Sequence, residues 1–256
     1  MSRRPPSPFR QPQAGFSLID VLVGMLLSLI GTLVIFQVFS VSEGIKRTST
    51  SGGDAQQSGA MALYALERAL KEAGYGINAN DVNPIPALIA VNAGTGPDSL
   101  TVSYRRNWDY GPFVTTDPAF ATAVPPALTV ETFSINNQAQ LVSSVNGVIA
   151  EGIVQLKAEY GVDVTAIPDG IMDVWQTALP ANPLTVLAVR LAVVARSAQP
   201  EGRAVNACAT TTVAPIWIGG GLNLTGNLGL AGGDSWQCYR YKTFQVTVPL
   251  RNLIWR

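Results

Sequence analysis

The sequence contains no histidine and only two cysteines among its 256 residues. Without histidine there is no imidazole acid or base, no histidine-dependent catalytic triad and no HExxH zinc site. Two thiols do not make a four-ligand thiolate metal site. Charged residues are also scarce, at 13%, and seventeen basic residues balance seventeen acidic ones. We therefore expect no enzymatic activity and no cofactor, and the charge balance gives no general attraction for nucleic acid.

The longest apolar run of this chain, which is 47% hydrophobic, lies near its N-terminus. Residues 21–42 are all uncharged. As a helix they span roughly 33 Å, enough to cross a hydrocarbon core of about 30 Å. Arg3, Arg4 and Arg10 precede the run, with no acid among them. This asymmetry predicts a single membrane span with the N-terminus in the cytoplasm and the remainder outside.

Two simpler interpretations of the run are a secretory signal peptide, cut near Ser40 and Ser42, and a plain membrane anchor. The run is longer than the apolar region of an ordinary signal peptide. Neither interpretation explains Asp20, which stands at the mouth of the run. A carboxylate at full membrane depth costs about 2.5 kcal/mol or more, so it needs a partner or a function.

Residues 15–20, G-F-S-L-I-D, resemble a type IV prepilin N-terminus. The resemblance implies that a prepilin peptidase removes residues 1–15 by cutting between Gly15 and Phe16, and that it N-methylates Phe16. It also implies that Asp20 contacts the N-terminal amine of a neighbouring subunit in the filament core. A buried carboxylate is less costly when it is paired, so this contact favours docking in one register. The family usually carries glutamate here, and Asp20 is one methylene shorter.

The chain after the apolar run predicts a helical continuation. Apolar residues at spacings of three and four form a stripe, whose members are Met61, Leu63, Leu66, Ala69, Leu70 and Ala73. Glu67 and Lys71 stand four apart on a polar face, and Gly74 closes the helix. The glycines of SGGD, residues 51–54, are expected to interrupt or soften it, since each costs about 1 kcal/mol relative to alanine.

Five candidate strands follow, at residues 100–105, 128–135, 152–160, 184–195 and 241–248. The sequence IVQLKAEY alternates apolar and polar residues, which predicts one buried and one solvated face. The sequence LTVLAVRLAVVA is apolar on both faces apart from Arg190, so it predicts a central strand. A long helix followed by an antiparallel sheet with long loops is an α+β layout.

Several further motifs resemble the PilW class of type IV pilus minor pilins: RALKEAGYG, YGVD…DGIMDVW, VRLAVVARS and the terminal YRYKTFQVTVPLRNLIW. The resemblance implies a pilin-like α+β fold. Residues 16–42 would form the transmembrane and filament-core helix, residues 43–75 its continuation packed on the head, and residues 76–256 a β-rich periplasmic or extracellular head.

The same resemblance implies a non-enzymatic subunit that helps initiate type IV pilus assembly. Its partners would be other minor and major pilins, the prepilin peptidase and the pilus assembly machinery. It would reside in the inner membrane as a single-pass protein and then in the pilus. A type II secretion minor pseudopilin and a pilus-tip adhesin or DNA-binding subunit are the alternatives.

The acids Asp163, Asp169 and Asp173 lie where relatives often carry a run of alternating acids like a calcium loop. Calcium needs several oxygen ligands at close and regular spacing. Apolar residues and Pro168 interrupt that spacing here. The preferred interpretation is a solvated turn between strands, with metal binding as the minor one.

The cysteines, Cys208 and Cys238, suit a disulfide if the chain is exported, or inert buried thiols if it stays in the cytosol. The apolar run favours export and hence the disulfide. The bond would close a loop of about 30 residues and would be worth roughly 3 to 4 kcal/mol. We expect it to act as a staple for the glycine-rich stretch inside the loop rather than to frame a binding site.

Overall fold

The structure of the chain is a computed structural model. It describes Gly15, Gly94, Leu224 and residues 17–76, 88–91, 96–105, 128–167, 169–200, 210–222 and 235–254. The chain divides into two compact units, residues 1–49 and residues 50–256. Every side chain that is buried among the described residues belongs to the second unit.

Helix α1 spans Leu18–Glu72. It continues through Gly52 and Gly53, so the predicted interruption is wrong. Ser51 and Ala55, on either side of the two glycines, are 6% and 2% exposed. Tertiary packing of a helix face contributes more to helix stability than intrinsic propensity, and here it outweighs the cost of the glycines.

The second half of α1 packs on the sheets through a stripe of small and aliphatic side chains. Its buried members are Ala55, Ala62, Leu66, Ala69, Leu70 and Ala73. The stripe advances in steps of three and four from Ala55, which places Met61 on its flank, 49% exposed instead of buried as predicted. The helix also approaches sheet B closely at Gly59, where a Cβ atom would lie only 2.1 Å from the ring of Phe244.

The C-terminal end of α1 is capped from two directions. Gly74 has a φ of 78°, the left-handed conformation that glycine adopts without strain, and its N–H donates to the Ser103 carbonyl at 2.9 Å. The side-chain amide of Asn252, in the short helix α2 (Arg251–Ile254), donates to the carbonyls of Lys71 and Ala73 at 3.0 and 3.1 Å. The prediction that Gly74 closes the helix is confirmed.

Sheet A is antiparallel and has five strands among the residues that the structure describes. They are β1 (Leu88–Val91), β2 (Ser99–Tyr104), β3 (Thr129–Ile135), β4 (Gln140–Ser143) and β5 (Gly147–Glu151). The order in space, β1-β2-β3-β4-β5, follows the order in the chain. Its buried side chains, among them Leu100, Val102 and Phe133, share one hydrophobic core with the stripe of α1.

Six more strands follow in the described part of the chain, and four of them form sheet B. The strands in chain order are β6 (Ile153–Val162), β7 (Val174–Gln176), β8 (Val186–Arg196), β9 (Ile216–Trp217), β10 (Gly220–Gly221) and β11 (Tyr241–Pro249). Sheet B has the antiparallel order β11-β8-β6-β7, while β9 and β10 form a separate two-stranded hairpin. The prediction that the apolar stretch around Arg190 forms a central strand is confirmed by β8. The long helix with its antiparallel sheets confirms the α+β fold class.

Asp98, just before β2, links the two sheets. Its N–H donates to the Leu156 carbonyl at 2.8 Å, and its carboxylate accepts the N–H of Ala158 at 3.1 Å. The same carboxylate forms an ion pair with Lys157 at 2.8 Å, and its side chain is only 1% exposed. These bonds lie on the part of β6 that β7 does not reach, because β7 pairs with residues 160–162 alone.

The polar face predicted for β6 is not solvated. Gln155 and Glu159 are 1% and 8% exposed, and a register shift between Ile153 and Gln155 marks a bulge at Val154. This face lies under residues 210–222, Leu224 and 235–240, which we call the covering segment. Together they form a second core, which contains Trp217, Leu222 and Leu224 with Val154, Ala192 and Val194. Part of the glycine-rich stretch therefore packs on the sheet rather than forming a loose loop.

Candidate functional site

The first turn of α1 carries the carboxylate that the sequence singles out. The Ser17 carbonyl accepts the N–H groups of Asp20 and Val21 at 3.0 and 3.3 Å. Gly15 is exposed, and Phe16 lies outside the described residues. Asp20 is exposed in the first helical turn, where the partial positive charge of the helix terminus favours an acid. The carboxylate thus lies at the helix end where cleavage after Gly15 would create an amine.

The first unit presents an apolar helical surface. Its exposed side chains include Leu22, Leu26, Leu29, Leu33, Phe36 and Phe39, which are between 57% and 72% exposed. By length and composition this helix is able to cross a membrane, and its most apolar window, with a mean hydropathy of 2.5, has no buried residue. The hydroxyls of Ser28 and Thr32 donate to carbonyls four residues earlier, both at 2.8 Å. The two hydroxyls are therefore satisfied within the helix, as a nonpolar environment requires.

The three acids proposed as weak metal ligands hold the β6–β7 loop in shape. Asp163 accepts the N–H groups of Thr165 and Gly170 at 3.0 and 2.9 Å, and the Thr165 hydroxyl as well. Asp173 accepts a backbone N–H at 2.9 Å, and Asp169 accepts another at 2.8 Å. These carboxylates therefore substitute for secondary structure in a loop that has none.

Asp163 is the centre of that loop. It is 1% exposed, whereas the other described residues of the loop, 164–167 and 169–173, are all exposed, so the loop is the solvated turn that we expected except at Asp163. The hydrogen bond from the Thr165 hydroxyl, with further bonds from backbone N–H groups, holds the pKa of Asp163 below its ordinary value, although burial opposes this effect. Among the described residues, no group of three or more histidine, cysteine, aspartate or glutamate side chains could hold a metal ion.

Cys238 ends a short 3-10 helix, Trp236–Cys238, and is 2% exposed. It is disulfide-bonded, whereas Cys208 lies outside the described residues, so the pairing with Cys208 stays a prediction. The two ends of the covering segment are also tied by hydrogen bonds. The Thr211 N–H donates to the Gln237 carbonyl at 3.0 Å, and its hydroxyl donates to the Tyr239 carbonyl at 2.5 Å.

Basic and aromatic residues alternate near the C-terminus, and several of the described ones contact other parts of the second unit. Lys242 donates to a side-chain amide of α1 at 3.1 Å, and Phe244 packs on α1. The Tyr241 hydroxyl donates to the Trp236 carbonyl at 2.8 Å, and burial raises the pKa of Tyr241. These contacts give Lys242, Phe244 and Tyr241 a structural role within the second unit.

Arg190 belongs to a cluster that sequence reasoning missed. Its guanidinium forms an ion pair with Glu159 on the neighbouring strand, and both side chains are largely buried. The same guanidinium lies 4.7 Å from the ring centroid of Trp175 and 5.6 Å from that of Trp217. One charge thus connects β6, β7, β8 and the covering segment through ionic and cation–π contacts. The only sequence feature that could have indicated this cluster is the single charged residue, Arg190, within an otherwise apolar strand.

Glu131 is a second buried carboxylate, 4% exposed on β3. It accepts hydrogen bonds from the hydroxyl of Tyr104 at 3.1 Å, from the hydroxyl of Ser143 and from the amide of Asn146 at 2.7 Å. The network joins three strands of sheet A and the β4–β5 turn. The partners of Glu131 are distant from it in sequence, so no local sequence pattern predicts the network.

Comparison with known proteins adds to this geometry. A family model described as type IV pilus-assembly protein W matches residues 113–252, which is more than half of the chain. No curated protein matches the chain. Among solved structures, a type IV-like pilin from Thermus thermophilus matches with a TM-score of 0.43 and 15% sequence identity, over 76% of this chain and 95% of that chain.

Proposed function

Since the chain belongs to the PilW family of type IV pilus-assembly proteins, we propose that it is a minor pilin, a low-abundance and non-enzymatic subunit that helps initiate the pilus. The observation that carries the proposal is the exposed apolar part of α1, with one acid in its first turn. A buried catalytic centre would need no such surface, whereas a subunit that packs by its helix requires one.

The first step of the proposed mechanism is membrane insertion. Residues 21–42 span the inner membrane, and the arginines of the leader keep the N-terminus in the cytoplasm. The prepilin peptidase then cuts between Gly15 and Phe16 and methylates the amine of Phe16. Because the cut lies before the apolar run, the anchor stays on the mature subunit.

The second step is docking in the filament. The exposed side chains of residues 18–41 transfer from lipid to the helices of other pilins, both apolar surroundings. Asp20 then pairs with the N-terminal amine of a neighbouring subunit. An unpaired carboxylate is costly in such surroundings, so the pairing selects one axial register over others. The head, residues 76–256, contacts the neighbouring subunits and selects among them.

Substitution of Asp20 tests this function. We expect Asp20→Ala to insert in the membrane normally but to be depleted from purified pili, because the register contact is lost. Asp20→Glu, which restores the usual residue of the family, should incorporate at least as well as the unmodified protein. Glu43→Gln, which removes an acid at the other end of the apolar run, is the matched control and should incorporate normally. Equal amounts of Asp20→Ala and unmodified protein in pili would contradict the docking role.

The alternatives differ in where the subunit is found. A type II secretion minor pseudopilin would use the same leader and helix, but would copurify with secretion machinery instead of pili. The match to the pilus-assembly family supports the pilus.

A further inference from the structure

A groove lined by both polar and apolar residues lies within the second unit between α1 and the β4–β5 hairpin. Its volume is about 550 Å³, within the range of ligand-binding clefts. One wall is a face of α1 that includes Asp54, Gln57 and Ser58. The opposite wall is formed by residues 148–152, and the end is closed by residues 196–198 after β8. The groove contains neither Asp20 nor a residue of the apolar part of α1.

The wall opposite α1 contains the edge strand of a sheet. β5 is the last strand of sheet A, so its outer edge pairs with no strand among the residues that the structure describes. The register with β4 places Val148 opposite Val142 and Ala150 opposite Leu141, which leaves Ile149 as an extra residue without an opposite partner. The bulge interrupts the row of backbone groups at Ile149, and the open edge on either side of it offers donors and acceptors to an added strand.

The side chains that line the groove indicate which side chains an added strand would carry. Asp54 and Glu151 place two carboxylates in it, and both residues are exposed. Among the described lining residues the single base is Arg196, whose guanidinium lies 4.5 Å from the ring centroid of Tyr239. None of the described lining residues is aromatic, so the groove offers no stacking platform for a sugar or a base. Backbone pairing and negative charge together favour an extended polypeptide with basic side chains.

We propose that this groove binds an extended segment of another protein that carries lysine or arginine, and that the segment adds to β5 as a sixth strand of sheet A. The backbone of β5 would form hydrogen bonds with the backbone of the added segment, and the carboxylates of Asp54 and Glu151 would form ion pairs with its basic side chains. This inference goes beyond the proposed pilus role, because it concerns the head and does not depend on Asp20.

The test uses the full chain in detergent and hydrogen exchange of the backbone amides of residues 147–152. The first probe is an acetylated and amidated peptide of alternating valine and lysine, added in large molar excess. The second has glutamate in place of lysine. The third keeps the lysines but has N-methyl groups on alternate backbone nitrogens, which removes the donors of one edge.

We expect only the first probe to slow exchange of β5. Asp54→Asn and Glu151→Gln should each weaken its binding by roughly 1.5-fold to 5-fold, the range of an exposed ion pair. Glu67→Gln, on the same helix but outside the groove, should leave binding unchanged. Circular dichroism of each variant confirms that the fold is retained.

Three results would overturn the proposal. They are unchanged exchange of β5 with the lysine peptide, equal protection by the glutamate or N-methylated peptide, and, in a titration of the lysine peptide, an unchanged midpoint of protection in the Asp54→Asn, Glu151→Gln double variant. None of these results bears on leader cleavage or on the role of Asp20, so this proposal and the proposed function fail independently.

Discussion

The substitution Gly59→Ala tests how closely α1 approaches sheet B. In an exposed helix position, replacing glycine by alanine stabilises a protein by about 1 kcal/mol. At Gly59 the new Cβ would lie 2.1, 2.4 and 2.9 Å from three ring atoms of Phe244. Ordinary carbon contacts are about 3.5 to 4.0 Å, so helix or ring must move by more than about 1 Å. Phe244 packs on the core shared by α1 and both sheets, which opposes that movement.

Overpacking of a core costs about 1 to 3 kcal/mol, which exceeds or offsets the gain in helix propensity. We therefore expect Gly59→Ala to lower the free energy of unfolding by about 1 kcal/mol, and by no more than about 2. Urea unfolding of the full chain in detergent, followed by tryptophan fluorescence, measures this change. All five tryptophans lie beyond residue 100, so the signal reports on the second unit.

Gly53→Ala is the matched control, because it lies in the same helix, is exposed and has no atom within 4 Å of a new Cβ. It should stabilise the second unit by up to about 1 kcal/mol. In a Phe244→Leu background, Gly59→Ala should cost less than it does in the unmodified protein, because the ring that the new methyl group would displace is gone. If Gly59→Ala stabilised the protein as much as Gly53→Ala, the close approach of α1 and β11 would be refuted.

Three further substitutions test the contacts within the head. Asn252→Ala should lower the free energy of unfolding by about 1 kcal/mol, since two carbonyls at the end of α1 lose their donor; no change would show that water replaces the amide fully. Arg190→Met should cost about 3 kcal/mol by leaving Glu159 buried and unpaired, and adding Glu159→Gln should recover much of this loss. Asp163 has a lowered pKa, so its stabilisation is present above the unfolded value of about 3.9 and is lost as pH falls through the folded pKa. Asp163→Asn should therefore be less stable than the unmodified protein at neutral pH, with a difference that shrinks in acid; a difference independent of pH would contradict the role of the carboxylate.

The covering segment changes how an adhesive role of the head can be tested. Deletion of residues 209–237 would remove Trp217 and its neighbours from a hydrophobic core, so loss of attachment would not be separable from misfolding. Ile216 and Ile218 are 72% and 73% exposed on the same segment, and they can be replaced by serine without removing core side chains. Piliation that survives this double substitution while attachment fails would indicate adhesion through the covering segment.

The elements that the sequence predicts well are those with a strong period. The apolar stripe around Leu66 and Leu70 is long enough to predict a helix, and the apolar run of β8 is long enough to predict a central strand. Both elements are observed. The short strands β1, β4 and β5 have four or five residues each, too few for a pattern to stand out from a loop.

The face of β6 was wrongly predicted for a different reason. Strict alternation would place the Val154 side chain on the same face of β6 as Leu156, but the bulge turns it to the opposite face, where it joins the second core. Alternation also does not reveal that a later segment of the chain covers the face that carries Gln155. Local propensity also overstated the effect of Gly52 and Gly53, because neighbouring residues are held by tertiary contacts.

In the candidate site, too, local features could be predicted from the sequence, whereas contacts between distant residues could not. The residues around Asp20 are contiguous, so a motif finds them, and helix geometry alone places the acid in the first turn. Arg190 meets Glu159 across a strand pairing 31 residues apart in sequence, and Glu131 meets Asn146 across 15. Such networks depend on register, which a single sequence specifies only after the strands and their order are known.

The N-terminus of the mature protein tests the central claim most directly. Mass spectrometry of the chain extracted from the membranes of the cells that produce it should show that residues 1–15 are absent and that the chain begins with N-methylated Phe16. A mature chain that begins near Glu43, after a secretory cut, or one that retains the leader intact in cells with an active prepilin peptidase, would contradict the account.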